Sequence, residues 1–160
     1  MRALVVDGYN AIFRMPGLKA TMDRTLKGAR DGIVALAREY QRKKGGIDVV
    51  RVVFDGQDRY RRRAHGSCAE RIFSKTGEGD TEVINVVRKL SPKYRVTVVS
   101  DDNYIRNNAR AHNAGVVTVS EFADSLRPRK NKTPRAKQGE KILPGNIREI
   151  NRELEKRWLA

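Results

Sequence analysis

Three short apolar runs in this chain close on aspartates: Ala3 to Val6 before Asp7-Gly8, Asp48 to Phe54 before Asp55-Gly56, and Arg95 to Val99 before Ser100-Asp101-Asp102. Runs of this kind, without strict polar alternation, read as strands buried on both faces, and such strands belong to parallel sheets covered by helices. Between the first two, Leu26, Ala29, Ile33, Leu36, Ala37 and Tyr40 recur at helical spacing until Gly45-Gly46 stops them, which makes a β-α-β unit. Arg71 to Ser74 reads as a short edge strand. A helix then begins near Asp80, turns Val83, Ile84, Val86, Val87 and Leu90 inward, and ends at Ser91-Pro92. Ile105, Ala109 and His112 mark another helix, Val116 to Val119 a last strand, and Ser120 is the expected cap of a short helix carrying Phe122, Ala123 and Leu126 with Asp124 outside. Four or five strands alternating with helices predict a three-layer α/β domain with a mainly parallel sheet.

The chain has 160 residues, so one domain of this class accounts for most of it. The expected division is a folded domain over 1–126, a basic linker over 127–144 and an amphipathic helix over 145–160. From Pro128 to Lys141 there are six basic residues, one acidic residue and two prolines, a composition with little means of burying a core. Beyond it, Asn146 and Glu149 resemble a helix-start capping pair, and Ile147, Ile150, Leu154 and Trp158 form one apolar stripe.

Lys and Arg total 34 against 19 Asp and Glu, a formal charge of +15. Such an excess points first to a polyanionic partner. The single cysteine, Cys68, excludes a disulfide framework, and with only His65 and His112 beside it there is no Cys/His cage for zinc. That usage suits a reducing cytoplasm. No stretch approaches the roughly 20 apolar residues that span a bilayer, and Asp7 interrupts the opening run before it could serve as a signal-peptide core, so the fold is expected to start at once and no membrane partner is expected. Oligomeric state stays open.

In a parallel sheet all C-terminal strand ends lie on one rim, where open α/β folds place their sites. Asp7, Asp55 and Asp101 are expected to converge there, joined by Asp102 and by Asp80, which begins its helix after Gly77-Glu78-Gly79. Carboxylates held together repel and raise one another's pKa unless a cation offsets them. Oxygen donors without thiolate or clustered histidine suit Mg²⁺ or Mn²⁺, as one ion or two, acting on a phosphodiester. Asp7, Asp80 and Asp101 are the expected catalytic and metal-binding residues, and Asp102 the candidate for a second metal position. Asn10, in a glycine-containing turn, and Asp55 are expected to orient them. Arg59, Tyr60, Arg61, Arg62 and Arg63 follow the second strand and can fork onto phosphates or stack on a base. Arg14, Lys19 and Lys75 extend that track, and Arg129, Lys130, Lys132, Arg135 and Lys137 can clamp RNA or a ribosomal surface. His65, Ser67 and Cys68 compose no credible triad, and Tyr9 is expected to pack rather than react.

The ordered motifs Leu4-Val5-Val6-Asp7-Gly8-Tyr9-Asn10, Val53-Phe54-Asp55, Thr76-Gly77-Glu78-Gly79-Asp80-Thr81 and Val98-Val99-Ser100-Asp101-Asp102 resemble the NYN domain of the YacP-like group in the PIN-like nuclease superfamily. The resemblance covers about Met1 to Leu126. It implies a Rossmann-like α/β/α sandwich with strand order 3-2-1-4-5 and metal-dependent endoribonuclease activity, with Asp7, Asp80 and Asp101 matching the family's central acids. It also implies a link to cleavage of mRNA on translating ribosomes. Where the family commonly has Glu-Thr-Ala-Asp, this chain has Glu78-Gly79-Asp80, so Glu78 is not carried over as a ligand.

Two other classes compete: a noncatalytic RNA- or ribosome-binding module, and a PIN-like nuclease acting on DNA. A haloacid-dehalogenase-like phosphatase requires an aspartate where Tyr9 stands. The dinucleotide motif G-x-G-x-x-G and the P-loop G-x-x-x-x-G-K-[ST] are both absent.

Overall fold

The computed structural model describes residues 1–56, 69–75 and 77–128, and Met1–Arg127 forms one compact unit, described here by itself. Its elements run β1 (Arg2–Asp7), α1 (Gly8–Arg14), α2 (Pro16–Arg24), α3 (Leu26–Lys44), β2 (Val49–Phe54), β3 (Ala69–Phe73), α4 (Gly79–Leu90), β4 (Arg95–Val99), α5 (Asn103–Ala111), β5 (Gly115–Val117) and α6 (Val119–Leu126). The sheet is parallel throughout, in the order β3-β2-β1-β4-β5. This is the expected α/β/α arrangement and the expected order.

The two sheet faces are built by alternation along each strand. Leu4 and Val6 of β1 face Ala29, Ile33, Val34, Ala37 and Tyr40 of α3, with Ala11 and Ile12 of α1 and Phe122 of α6 completing that layer. Ala3 and Val5 face the other way, onto Val83, Val86 and Val87 of α4 and Ile105 and Ala109 of α5. Because β1 is the central strand and is buried on both sides, all of Ala3, Leu4, Val5 and Val6 are core residues, which is why the sequence shows an unbroken apolar run there.

Register fixes which residues end level. Val6 pairs with Val52 on one side and with Val99 on the other. Asp7 comes one step later, paired with Val53 and level with Ser100, and Asp55 follows the end of the neighbouring strand.

Three local details differ from expectation. The segment after Asp7 is a helix, α1, followed directly by α2 with Pro16 at its first position, where a missing N–H costs nothing. Asn10 thus sits in a helix rather than a turn. The last strand stops at Val117, so Thr118 rather than Ser120 caps α6. Thr118 Oγ1 accepts from Glu121 N–H at 3.1 Å and the Glu121 carboxylate accepts from Thr118 N–H at 2.8 Å, a reciprocal pair that satisfies two otherwise orphaned donors. The expected linker over 127–144, apart from Arg127 and Pro128, and the helix over 145–160 lie outside the described residues, as do His65, Ser67 and Cys68.

Candidate active site

Four of the aspartates singled out in the sequence, Asp7, Asp55, Asp80 and Asp102, interact along the C-terminal rim. Asp7 ends β1 and is partly buried. Burial pushes its carboxyl up to about 6 from an ordinary 3.8, against the pull of the Asn10 N–H and the Ser100 hydroxyl, while the nearby charges of Asp80 and Asp102 push it further up. Asp80, in the first turn of α4, is also raised, first by burial and then by Asp102 and Asp55. Asp7, Asp80 and Asp102 therefore feel one another directly, although they come from three separate elements.

Ser100 joins two of them. Fully buried at the end of β4, it donates from Oγ to Asp7 Oδ2 at 3.3 Å and accepts the backbone N–H of Asp102 at 3.1 Å. Asp102 also caps α5, its Oδ1 accepting from Ile105 N–H at 3.1 Å. That bond engages one oxygen and fixes the side chain's rotamer.

Asp101, expected beside Asp7 and Asp80, is at the same rim, with its carboxylate engaged by α6 and α1. Oδ1 accepts from Val119 N–H at 2.9 Å at the start of α6, and Oδ2 lies 3.7 Å from Arg14 Nε. The physical reason is local. Asn10 Oδ1 accepts the Asp101 backbone N–H at 2.9 Å, which pins the turn with Asp101 on the start of α6 and Asp102 coupled to Asp7 and Asp80. Asn10 thus orients the backbone that presents the acids rather than a carboxylate itself.

Asp55 has a comparable holding role. Its Oδ1 accepts from Gly77 N–H at 2.8 Å and from Ser74 Oγ at 3.3 Å, anchoring the approach to α4. Gly77 takes a φ of +83°, which a side chain would resist. At Gly79 an added Cβ would lie 2.8 Å from the Asp55 Cβ, so glycine immediately before Asp80 is what lets α4 start against the end of β2.

Behind the rim an aromatic cluster sets the position of β1's end. Tyr9 and Phe54 pack edge to face at 5.4 Å, Phe54 and Phe73 stack at 5.4 Å, and Arg30 lies over all three rings while donating to the Tyr9 hydroxyl. Tyr9 packs, as expected. Two further aromatics were not anticipated: Phe13 on α1 and Tyr104 in the first turn of α5 are 55% and 58% exposed, close in sequence to the residues that carry the acids. Their only advance signal is an aromatic shortly after each strand-end aspartate.

Of the expected RNA-contacting residues, Arg59, Tyr60, Arg61, Arg62, Arg63, Arg129, Lys130, Lys132, Arg135 and Lys137 lie outside the described residues. Arg14 is paired with Asp101, and Lys19 and Lys75 are exposed.

The donor chemistry at the rim fits a hard divalent cation: oxygen ligands only, with Asp7 and Asp80 raised in pKa partly by other carboxylates. Among the described residues no three acidic, histidine or cysteine groups close into a ready-made cage.

The family model for the YacP-like NYN domain matches residues 4–159. Among solved structures, a single-residue mutant of Rae1 (YacP) from Bacillus subtilis is similar at 27% identity and a TM-score of 0.63, covering 79% of this chain and 75% of that one. A second structure of Rae1 (YacP) from Bacillus subtilis, at 23% identity and a TM-score of 0.62, shares the fold over 98% of this chain and 81% of that one. No curated protein matches.

Proposed function

The chain belongs to the YacP-like NYN domain family, a nuclease-type ribonuclease family, and from that premise we propose that it is a metal-dependent endoribonuclease whose ion sits among Asp7, Asp80 and Asp102. The observation that carries the reading is the electrostatic coupling of these three carboxylates from separate elements, a destabilising arrangement that a cation would relieve.

Mg²⁺ or Mn²⁺, as one ion or two, supplies neutralisation of the charge that builds on a scissile phosphate and activates the attacking water. The remaining work belongs to the chain. Asp7, held in orientation by Ser100, would offer its carboxylate to the cation. Asp102, fixed by its cap to α5, and Asp80, carried on α4, set the distance between the strand ends. Asp101 positions them by tying β4 to α6 through Val119, and Asn10 fixes the turn between. Phe13 and Tyr104 offer faces on which unpaired bases stack, which favours a single-stranded segment at the site. The basic segments around Arg59–Arg63 and Arg129–Lys137 hold the phosphate backbone without reading sequence. The substrate context is mRNA on translating ribosomes in the cytoplasm, a context that rests on family resemblance alone.

The test is cleavage of end-labelled RNA, free and on translating ribosomes, with Mg²⁺, Mn²⁺ or chelator. Cuts that need the cation and disappear in Asp80→Asn, with RNA binding kept, are expected. Tight RNA binding without cation-dependent cuts on either substrate would instead assign the chain to the noncatalytic binding class, and preferential cutting of matched DNA to the DNA nucleases.

A further inference from the structure

At the opposite rim of the sheet, where the parallel strands begin, the described residues line a cleft of about 560 Å³ walled by Arg2, Arg95, Thr97, Arg110 and Asn113. Arg2 and Arg95 are register partners at the start of β1 and β4, so their Cα atoms lie about 4.8 Å apart and their side chains leave the same sheet face. Arg110 comes from the last turn of α5.

Arg2 is locked in place. Its Nε donates to the Gly46 carbonyl at 3.0 Å and its Nη2 to the Gly45 carbonyl. Gly46, at a φ of +63°, leaves the space the guanidinium occupies, since a Cβ there would lie 2.5 Å from Nη2. Arg95 and Arg110 are exposed, and neither side chain has a hydrogen bond or ion pair with another described residue. No acidic residue lines the cleft, and Asp48, the acid that touches Arg2, is engaged by the Arg2 backbone N–H at 2.8 Å.

Arg95 and Arg110 bring to this cleft two guanidinium groups without a partner among the described residues, and forked donors of this kind match phosphate oxygens. The cleft offers only small apolar side chains, Val96 and Ala114, so it lacks the aromatic or aliphatic anchors that a protein partner would fill. We propose that this cleft is a second RNA-binding site that grips the phosphodiester backbone on the side of the domain away from the carboxylates. β4 separates the two rims by about 17 Å. A short strand at the acidic rim therefore does not reach the cleft, whereas a longer or folded RNA engages both. The inference rests on the ribonuclease reading only for the identity of the polyanion, not for cleavage.

The experiment measures binding of a labelled hairpin RNA to the full chain in chelator, across a salt series, for wild type, Arg95→Gln/Arg110→Gln and Arg95→Lys/Arg110→Lys. The glutamine pair is expected to lose about tenfold in affinity and to lower the slope of log affinity against log salt by about 2, one per lost phosphate contact. The lysine pair is expected to recover the slope but only part of the affinity, because the fork is gone. Cleavage of an oligonucleotide too short to reach both rims is expected to stay at the wild-type rate in both variants. Unchanged hairpin affinity and slope in the glutamine pair would overturn the proposal, as would equal loss on the short oligonucleotide. Competition by poly-glutamate as strong as by RNA would also overturn it, in favour of an acidic polypeptide. Should wild type fail to cut any RNA, the nuclease reading falls while the binding result still decides this one.

Discussion

The two rims of the sheet are made by the same strands and carry opposite electrostatics. At the C-terminal rim, burial and then neighbouring carboxylates raise Asp7 and Asp80, with Ser100 and Asn10 fixing the turns nearby. At the N-terminal rim, Arg2 is locked by Gly45 and Gly46 while Arg95 and Arg110 stand exposed. The acidic rim is a preorganised assembly in which moving one residue disturbs several. The basic rim is looser, and two of its three arginines can change with little structural cost. Dense internal hydrogen bonding accompanies the proposed chemistry, whereas proposed phosphate affinity needs only charge in a suitable place.

The sharpest way to break this comparison is to separate the adjacent acids. Asp102→Asn is expected to lower cleavage by about 10²-fold or more, near 3 kcal/mol of transition-state stabilisation. Asp101→Asn, which weakens only the tie to Val119 and Arg14, is expected to cost tenfold or less and to lower the melting temperature. Equal losses in single-turnover assays on both folded variants would return Asp101 to the ion-binding set.

Sterics give the next largest effect. A Cβ at Gly8 would lie 2.5 Å from a Phe54 ring carbon and 2.8 Å from the Val53 carbonyl oxygen. Gly8→Ala is therefore expected to destabilise the fold by about 1–3 kcal/mol in urea unfolding, whereas Gly17→Ala, with open space around it, is not strained. A Gly8→Ala midpoint equal to wild type would show that β1's end is less tightly fixed than argued.

Titration separates the rims as well. In the absence of divalent ions, Asp7 holds its proton in the folded state up to about pH 6, where an ordinary carboxyl at 3.8 has already released it. The stability this group contributes is full below its unfolded pKa and is lost as pH rises through its folded pKa. Asp7→Asn is expected to raise stability at pH 7 by on the order of 2 kcal/mol and to flatten the profile between about pH 4 and 6. Denaturant titrations at several pH values measure it, and a wild-type profile as flat as the variant's would remove the case for a strained acidic rim.

Smallest, Thr118→Ala is expected to cost about 1 kcal/mol through loss of the α6 cap. Arg95→Gln is expected to stay within about 0.5 kcal/mol. A larger stability change at Arg95 than at Thr118 would mean that the basic rim is structural after all.

Much of this was written in local pattern. The apolar runs of β1, β2 and β4, the spacing of α3 and α4, and the strand-end aspartates are short-range signals that buried parallel strands and their covering helices leave in any sequence. The helices α1 and α2 were not legible because they are short, α2 buries no residue fully, and Gly8 and Pro16-Gly17 resemble turn signals. Ser100 gave no signal beyond its place after a strand, since its importance lies in touching Asp7 from 93 positions away.

The sequence by itself determined that an α/β sheet forms and that acids gather at one rim, because strand burial and strand ends are set by neighbours along the chain. Which of two adjacent aspartates couples to Asp7 and Asp80, and that Arg2, Arg95 and Arg110 line one cleft at the other rim, came from the tertiary structure alone. A side chain's direction at a strand end depends on which distant partners are packed against it, here the donors Val119 and Arg14 and the acceptor Asn10.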